Sequence, residues 1–414
     1  MNIVIAHKFF HLVGGAEEYV RQQHLLFERH GHRVTPFSLL DERMPPTPFD
    51  NYFLQPLNLR GSHWRYKARN FGRILSRTLY SFEARRKMTD LVGEMRPDVA
   101  HVHGIENHIS PSILGALGRA GVPVVQSVNN YKHLCASLRL YLYDRQEVCS
   151  RCRRGHYYHT LTTRCVQGSL PASLLGMLEM YLHQSVMDIY AQVERFVVPN
   201  DFVGRKMVEA GHPEEKLVRL RNPFALSETQ PATEFRDFIL YFGRIEPEKG
   251  VMFLLKAMKR LPGVRLVVVG DGLQKGECEA WARANSLSNV EFTGPKWGEE
   301  LRPYLMGCRL VVVPSLWHEP SPYVIYQSLA AAKPVLACRM GGIPDLLTPE
   351  TGHLVRADDV DELTEAIGML VSDAPRLRSM GRAARRWAEE HLDPDVYYER
   401  IMNVYEEICG RTLR

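Results

Sequence analysis

In the stretch E-P-S-P-Y-V-I-Y-Q, Glu319 and Gln327 stand on either side of a helix start, a pattern suited to holding hydroxyl groups beside an anion. Pro322 suits the first helical turn, since it has no N–H to lose and its φ is already set for helix. The amides of Tyr323 and Val324 then head the helix, with the positive end of its dipole behind them. A diphosphate is the natural guest. Glu319 before the helix start and Gln327, about a turn and a half inside it, would accept from the hydroxyls of an attached sugar. Gly14 and Gly15 make a second place of this kind, because glycines between a strand and a helix let backbone amides approach a phosphate or a sugar. A plain tight turn is the competing reading there. A third constellation is Cys135, Cys149, Cys152 and Cys165, spaced C-x13-C-x2-C-x12-C. Four thiolates suit tetrahedral Zn²⁺, which would fold an insertion too polar to hold itself. A redox-active CxxC and four unligated thiols are the rivals.

The elements that carry these residues are legible from hydrophobic pattern. Arg309 to Leu346 runs as apolar segment, polar loop, small-residue helix and second apolar segment, which is a βαβ unit. Leu310 to Val313 is β-branched without alternation, the signature of a strand buried on both faces. Asn2 to Ala6, Pro97 to His103, Val122 to Val128, Phe196 to Asn200, Asp237 to Gly243, Arg265 to Val269 and Val290 to Pro295 read as further strands or strand edges, and helical patterns intervene. A length of 414 residues exceeds one ordinary core and implies two α/β domains. We place the first at 1–222, the second at 223–392, and a terminal helix at 393–414. Pro, Ser, Thr and Gln accumulate from Ser227 to Glu234 while the apolar pattern lapses, so that stretch reads as a linker.

The E-P-S-P-Y-V-I-Y-Q segment resembles the E-x7-E signature of retaining nucleotide-sugar glycosyltransferases of family 4, and the landmarks G-G-A-E, G-H-R-V and G-R-I-E-P-E-K-G stand in matching places. The resemblance implies a GT-B fold: two Rossmann-like doubly wound domains facing a cleft, with the C-terminal helix crossing back to the first. It further implies that Glu319 orients the donor sugar and that position 327 holds the nucleotide ribose. Arg244 and Lys249 would lie on the donor diphosphate, where fixed cations stabilise the charge that accumulates on a departing group. Gly270 and Pro295 would be donor-binding positions, the backbone by Pro295 bordering the nucleotide base, and a cysteine-rich insertion is found at this point in some members. Two positions depart from the pattern. The second acid is Gln327, which can still bond a hydroxyl but without charge. The residue after the strand at Val122 to Val128, usually histidine and facing the reacting sugar, is Asn129; His103 and His133 are near enough in sequence to be considered as replacements.

Composition limits partners. The net charge of +5 is too mild at this length to argue for nucleic acid. No run approaches the ~18 apolar residues that span a bilayer, and MNIVIAHKFFHLVGG lacks a signal peptide's basic and small-residue regions, so a cytoplasmic chain is expected. From Arg60 to Lys87, nine Lys or Arg face one acid, Glu83, interleaved with aromatic and aliphatic residues along one expected helix. Such a segment binds anionic membrane surfaces peripherally, here the inner face, or packs on its own domain with a solvated basic side. The sum is a metal-independent retaining glycosyltransferase, moving a sugar from a nucleoside-diphosphate sugar to a glycan or lipid-linked acceptor. It would need no cofactor for chemistry, with structural zinc the one metal expected. A scaffold that has lost chemistry, and an epimerase- or phosphorylase-like enzyme, are the alternatives.

Overall fold

The computed structural model describes residues 1–11, 14–44, 46–57, 64–232 and 235–410. The chain divides into two compact units: Met1–Leu140, Ser150–Pro223 and Asp395–Arg414 form the first, and Tyr141–Cys149 with Phe224–Pro394 the second. Residues 60–63 of the basic stretch, 233–234 of the expected linker and 411–414 of the terminal segment lie outside the described residues.

In the first unit, β1 (Asn2–Ala6), β2 (Arg33–Phe37), β3 (Val99–His103) and β4 (Val124–Ser127) precede a short hairpin of β5 (Tyr141–Leu142) and β6 (Glu147–Val148), which groups with the second unit. β7 (Arg195–Val198) and β8 (Leu217–Arg219) complete a parallel sheet in the order β2-β1-β3-β4-β7-β8. The second unit carries β9 (Ile239–Phe242), β10 (Leu266–Val269), β11 (Val290–Gly294), β12 (Leu310–Val313), β13 (Val335–Cys338) and β14 (Gly352–Val355). They form a second parallel sheet, ordered β11-β10-β9-β12-β13-β14. Both sheets are layered with helices, which is why their central strands are apolar on both faces: Ile3 to Ala6 and Leu310 to Val313 are buried throughout. Several helices start on short polar caps that satisfy an otherwise orphaned amide. Asn200 accepts from Val203 N at 3.0 Å and Asp359 from Glu362 N at 2.9 Å.

The last helix, Pro394–Cys409, belongs to the first unit from Asp395 onward. It buries Tyr397, Ile401, Met402, Val404 and Tyr405, residues that recur at helical spacing. Two of them carry hydroxyls into the interior. Tyr397 bonds Gln23 Nε2 at 2.6 Å and Tyr19 at 3.0 Å, while Tyr405 bonds His101 Nδ1. A helix that enters a core with polar tips needs partners of this kind, because an unpaired buried hydroxyl costs free energy.

The basic stretch is not one helix. Trp64–Arg69, Phe71–Leu79 and Phe82–Met95 are separate, broken at Asn70 and at Tyr80–Ser81, where the Ser81 hydroxyl accepts from Ala84 N to start the third. Pro322 also differs from expectation. It is the extended residue that caps Tyr323–Ala330 rather than a member of the first turn, and Ile325 N donates to its carbonyl at 3.0 Å.

Candidate functional site

In the second sheet the chain steps from β9 outward to β10, and later from β12 outward to β13, so β9 and β12 are adjacent strands whose connections leave in opposite directions. The C-terminal edge at such a switch point is where open α/β sheets place ligands. Arg244 and Lys249 follow β9, Gly270 follows β10, Pro295 follows β11, and Glu319 follows β12. The expected residues of this unit therefore gather at the same end of one sheet. A surface hollow of about 350 Å³, lined by Pro262, Arg265, Asn289 and Glu291, lies at the opposite ends of β10 and β11 and takes none of them.

Lys249 Nζ donates to Glu319 Oε1 at 2.6 Å, and Ser315 Oγ donates to the same oxygen at 2.6 Å. Glu319 is 3% exposed. Burial alone would push its carboxyl up, but the Lys249 ammonium beside it and the bonds from Lys249 and Ser315 outweigh that and hold it below its ordinary value. The lysine lies over the Trp317 ring, 5.3 Å from its centroid, and its side chain is still partly exposed. Arg244 is more open; its guanidinium is 3.6 Å from Glu248 Oε1, a carboxylate wholly buried beneath it. Helix Tyr323–Ala330 starts just past Glu319, with Pro322 and Tyr323 buried and Val324 and Gln327 half-buried on it. At the strand ends, Gly243 N donates to Val269 O at 3.0 Å and Gly270 N to Gly294 O at 2.9 Å. A Cβ on Gly270 would fall 1.9 Å from Gly243 O, so the chain closes there only as glycine. Pro295, after Gly294, is exposed. Ser315, Trp317 and Glu248 are not singled out by the sequence: Ser315 and Glu248 each lie four residues from Glu319 and Arg244, but outside any α-helix, so no helical pattern flags the pairs.

The first unit places Gly14, Gly15 and Asn129 at the corresponding edge of its own sheet. Gly14 caps helix Gly15–Arg29 in extended backbone, and Gly15 is the helix's first residue. Glu17, two residues in, bonds His7 Nε2 at 3.2 Å, and His7 Nδ1 bonds His103 O at 2.9 Å. Burial would raise the Glu17 carboxyl, but the His7 bond and the charges of His7 and Lys8 bring it to about 2. Asn129 follows β4, half-buried, with Nδ2 3.4 Å from His103 Nδ1. Neither histidine replaces it at the surface. His103 is buried, and its Nε2 bonds Gln23 Oε1 at 2.8 Å. His133 is buried in a different place, bonded to His212 at 2.9 Å. Burial pushes both rings well below the ordinary histidine value, as a core histidine requires.

Of the four clustered cysteines, Cys135 is buried, and Cys149, Cys152 and Cys165 are half-buried. Among the described residues no group of three or more His, Cys, Asp and Glu is placed as a metal site. Cys135 Sγ lies 3.2 Å from Ser137 Oγ, and Cys152 packs with Tyr157, Met180 and Val166 in a small apolar cluster, where a thiol serves as a small hydrophobe. No helix among the described residues is long and apolar enough to cross a membrane.

Comparison with known proteins bears on the family and the fold. The family described as "Glycosyltransferase Family 4" matches residues 13–228, and that described as "Glycosyl transferases group 1" matches 226–387. A D-inositol 3-phosphate glycosyltransferase from Mycolicibacterium paratuberculosis is 29% identical over 253 residues, 55% of this chain and 56% of that protein. The chain spans about half the length of the curated relatives it matches. Among solved structures, sucrose-phosphate synthase from Thermosynechococcus elongatus superposes with a TM-score of 0.71 at 16% identity, covering 99% of both chains. Anabaena HepE in complex with UDP-glucose does so at 0.65 and 15%, covering 98% of this chain and 100% of that one. At such identities these likenesses speak for the fold, the GT-B pair of Rossmann-like domains.

Proposed function

Because the chain belongs to glycosyltransferase family 4, we propose that it is a retaining glycosyltransferase, moving a sugar from a nucleoside-diphosphate sugar to a glycan or lipid-linked acceptor. The observation that carries this reading is the Lys249–Glu319 bond at the β9/β12 switch point, an ionised carboxylate and a partly exposed cation poised where a charged sugar derivative would bring both a diphosphate and hydroxyls. A diphosphate would draw Lys249 and Arg244 to its oxygens, and the start of helix Tyr323–Ala330 would add backbone donors. Glu319, with Ser315 still bonded to it, would then accept from sugar hydroxyls, and Gln327 from the ribose. Gly270 and Pro295 would border the nucleotide.

In the transfer, the bond from the sugar's anomeric carbon to the diphosphate oxygen breaks, and the acceptor oxygen bonds that carbon on the same face. The acceptor's proton passes to the leaving diphosphate oxygen, so no dedicated base is required. Two fixed cations offset the charge growing on that oxygen, more in the transition state than before it, and so do the work a metal ion would otherwise do. Asn129 would bond the reacting sugar without titrating near neutral pH. A lipid-linked acceptor would be met at a membrane, with the basic stretch ending at Lys87 as the contact.

Release of nucleoside diphosphate from a panel of nucleotide sugars, with acceptor extracts added, tests the proposal. Arg244→Ala and Lys249→Ala should each lower turnover roughly 100-fold or more with little change in thermal stability. Gln327→Glu should alter donor affinity by only about 1–2 kcal/mol. Wild-type turnover in both alanine variants would sink the assignment. Donor binding without turnover in the wild type, with turnover appearing only in Asn129→His/Gln327→Glu, would decide for a scaffold.

A further inference from the structure

Helix Leu170–Tyr181 and the turn after it present Leu170, Leu174, Leu178 and Val186 at intervals of four and eight, and all four are strongly exposed, Val186 at 74%. Residues at this spacing share one face of a helix, and here it is the face turned away from the core. The opposite face carries Ser173, Gly176, Glu179 and Met180 into the interior. An apolar stripe of this kind in water marks a surface built to be covered.

Its surroundings say by what. The helix packs against Phe71–Leu79, and His183, in the turn after it, donates from Nε2 to the Leu79 carbonyl at 2.6 Å, which ties the ends of the two helices together. On that neighbour and the short helix before it, Trp64 and Phe71 are exposed at 67% and 62%, beside the exposed cations Arg65, Arg69 and Arg73. Between residues 64 and 87, and again between 164 and 187, the only acids are Glu83 and Glu179. Neither is free to neutralise the surface: Glu83 pairs with Arg77, and Glu179 is buried against Lys132 at 2.6 Å. The next acid, Asp188, lies past the end of the stripe. Arg77 itself is buried, donating to His108 O at 2.7 Å, so it holds the helix rather than facing out.

We propose that this face, the leucine stripe flanked by Trp64, Phe71 and the arginines, is a docking surface for an anionic lipid bilayer. Leucines would enter the acyl boundary, the aromatic rings would settle among the headgroups, and the arginines would meet lipid phosphates. A second copy of the chain is the poorer occupant, because apposing two such faces would bring arginine against arginine. The inference stands on this surface alone and does not depend on the transfer reaction.

Flotation with vesicles tests it, using the full chain. Vesicles of about three parts phosphatidylcholine to one part phosphatidylglycerol should carry the protein, vesicles of phosphatidylcholine alone should carry much less, and binding to the first should fall as salt rises. Leu174→Glu/Leu178→Glu, at exposed positions where folding is not at stake, should reduce binding at least roughly tenfold, and Arg69→Gln/Arg73→Gln by a similar factor. A melting temperature equal to wild type certifies each variant. Absence of binding to the anionic vesicles at low salt, or binding that the leucine pair leaves unchanged, would overturn the proposal. So would a concentration-dependent dimer, abolished by the leucine pair, in protein that ignores vesicles; that result would give the face to a second copy.

Discussion

Glu17 shows how far a single charge can be set by its neighbours. His7 Nδ1 faces the His103 carbonyl oxygen and Nε2 faces the Glu17 carboxylate. Burial works against the charge, but the His7 bond and the charges of His7 and Lys8, the latter 3.8 Å away, outweigh it, and the carboxyl is brought to about 2 from its ordinary 4.5. A folded value below the unfolded one contributes stability that is fully present above about pH 4.5 and lost as pH falls toward 2. Scaled over that interval, the contribution is of the order of 3 kcal/mol for this nearly buried group. Glu17→Gln should be less stable than wild type at pH 7, and the gap should close as both are taken from pH 4.5 downward; a gap that stays constant over that window would show that the pair does not stabilise the fold. The sequence marked G-G-A-E as a landmark but could not join Glu17 to His7, because a separation across a loop has no periodicity. Lys249 and Glu319 were legible for the opposite reason: each sits in a motif, and both motifs follow strands that the β-branched runs reveal.

At the level of elements, the central strands were readable because burial on both faces forces continuous Val, Ile and Leu, as in β1, β10 and β12. The basic stretch misled because its charge pattern continues across breaks at Asn70 and Tyr80–Ser81, and only the Ser81 cap marks a new start. The hairpin of β5 and β6 has two residues per strand, too few for any pattern. The loop after β13 packs against the loop that carries Glu319. Gly341 and Gly342 stand there for a reason: Gly342 N donates to Glu319 O at 2.8 Å, and Gly341 has φ +63°. A Cβ there would lie 2.4 Å from Glu319 O and 2.6 Å from Glu319 N, and neither is a side-chain end that can swing aside. Gly341→Ala should therefore cost about 2–4 kcal/mol of stability. It should also lower turnover in the folded fraction, since the loop that carries the carboxylate must shift. Melting and turnover measured on the same preparation check this, and an alanine variant equal to wild type in both would show that the loop yields without consequence.

The whole chain is discontinuous in its units, since the first unit is completed only by residues after Pro394. Residues 1–223 contain all six strands of the first sheet but none of the helix that supplies Tyr397, Ile401, Met402, Val404 and Tyr405 to its interior. Each fully buried side chain of this size is worth roughly 1.5–3 kcal/mol, so the five together rival the ~5–15 kcal/mol by which a whole domain is stable. Their removal also takes a hydrogen bond from each of three buried groups: His101 Nδ1 loses Tyr405, while Gln23 and Tyr19 lose the Tyr397 hydroxyl, at about 0.5–1.5 kcal/mol per bond. A fragment of residues 1–223 should thus fail to melt cooperatively. The same fragment joined to residues 394–410 through a long Gly/Ser linker should regain a sharp transition, and Tyr397→Phe/Tyr405→Phe in that fusion should return only part of it, because the rings still fill the core while the hydroxyls are gone. Differential scanning calorimetry on the three proteins decides the matter: a sharp, equally stable transition in the bare fragment would mean that the returning helix is an accessory to the first unit and not a part of its core.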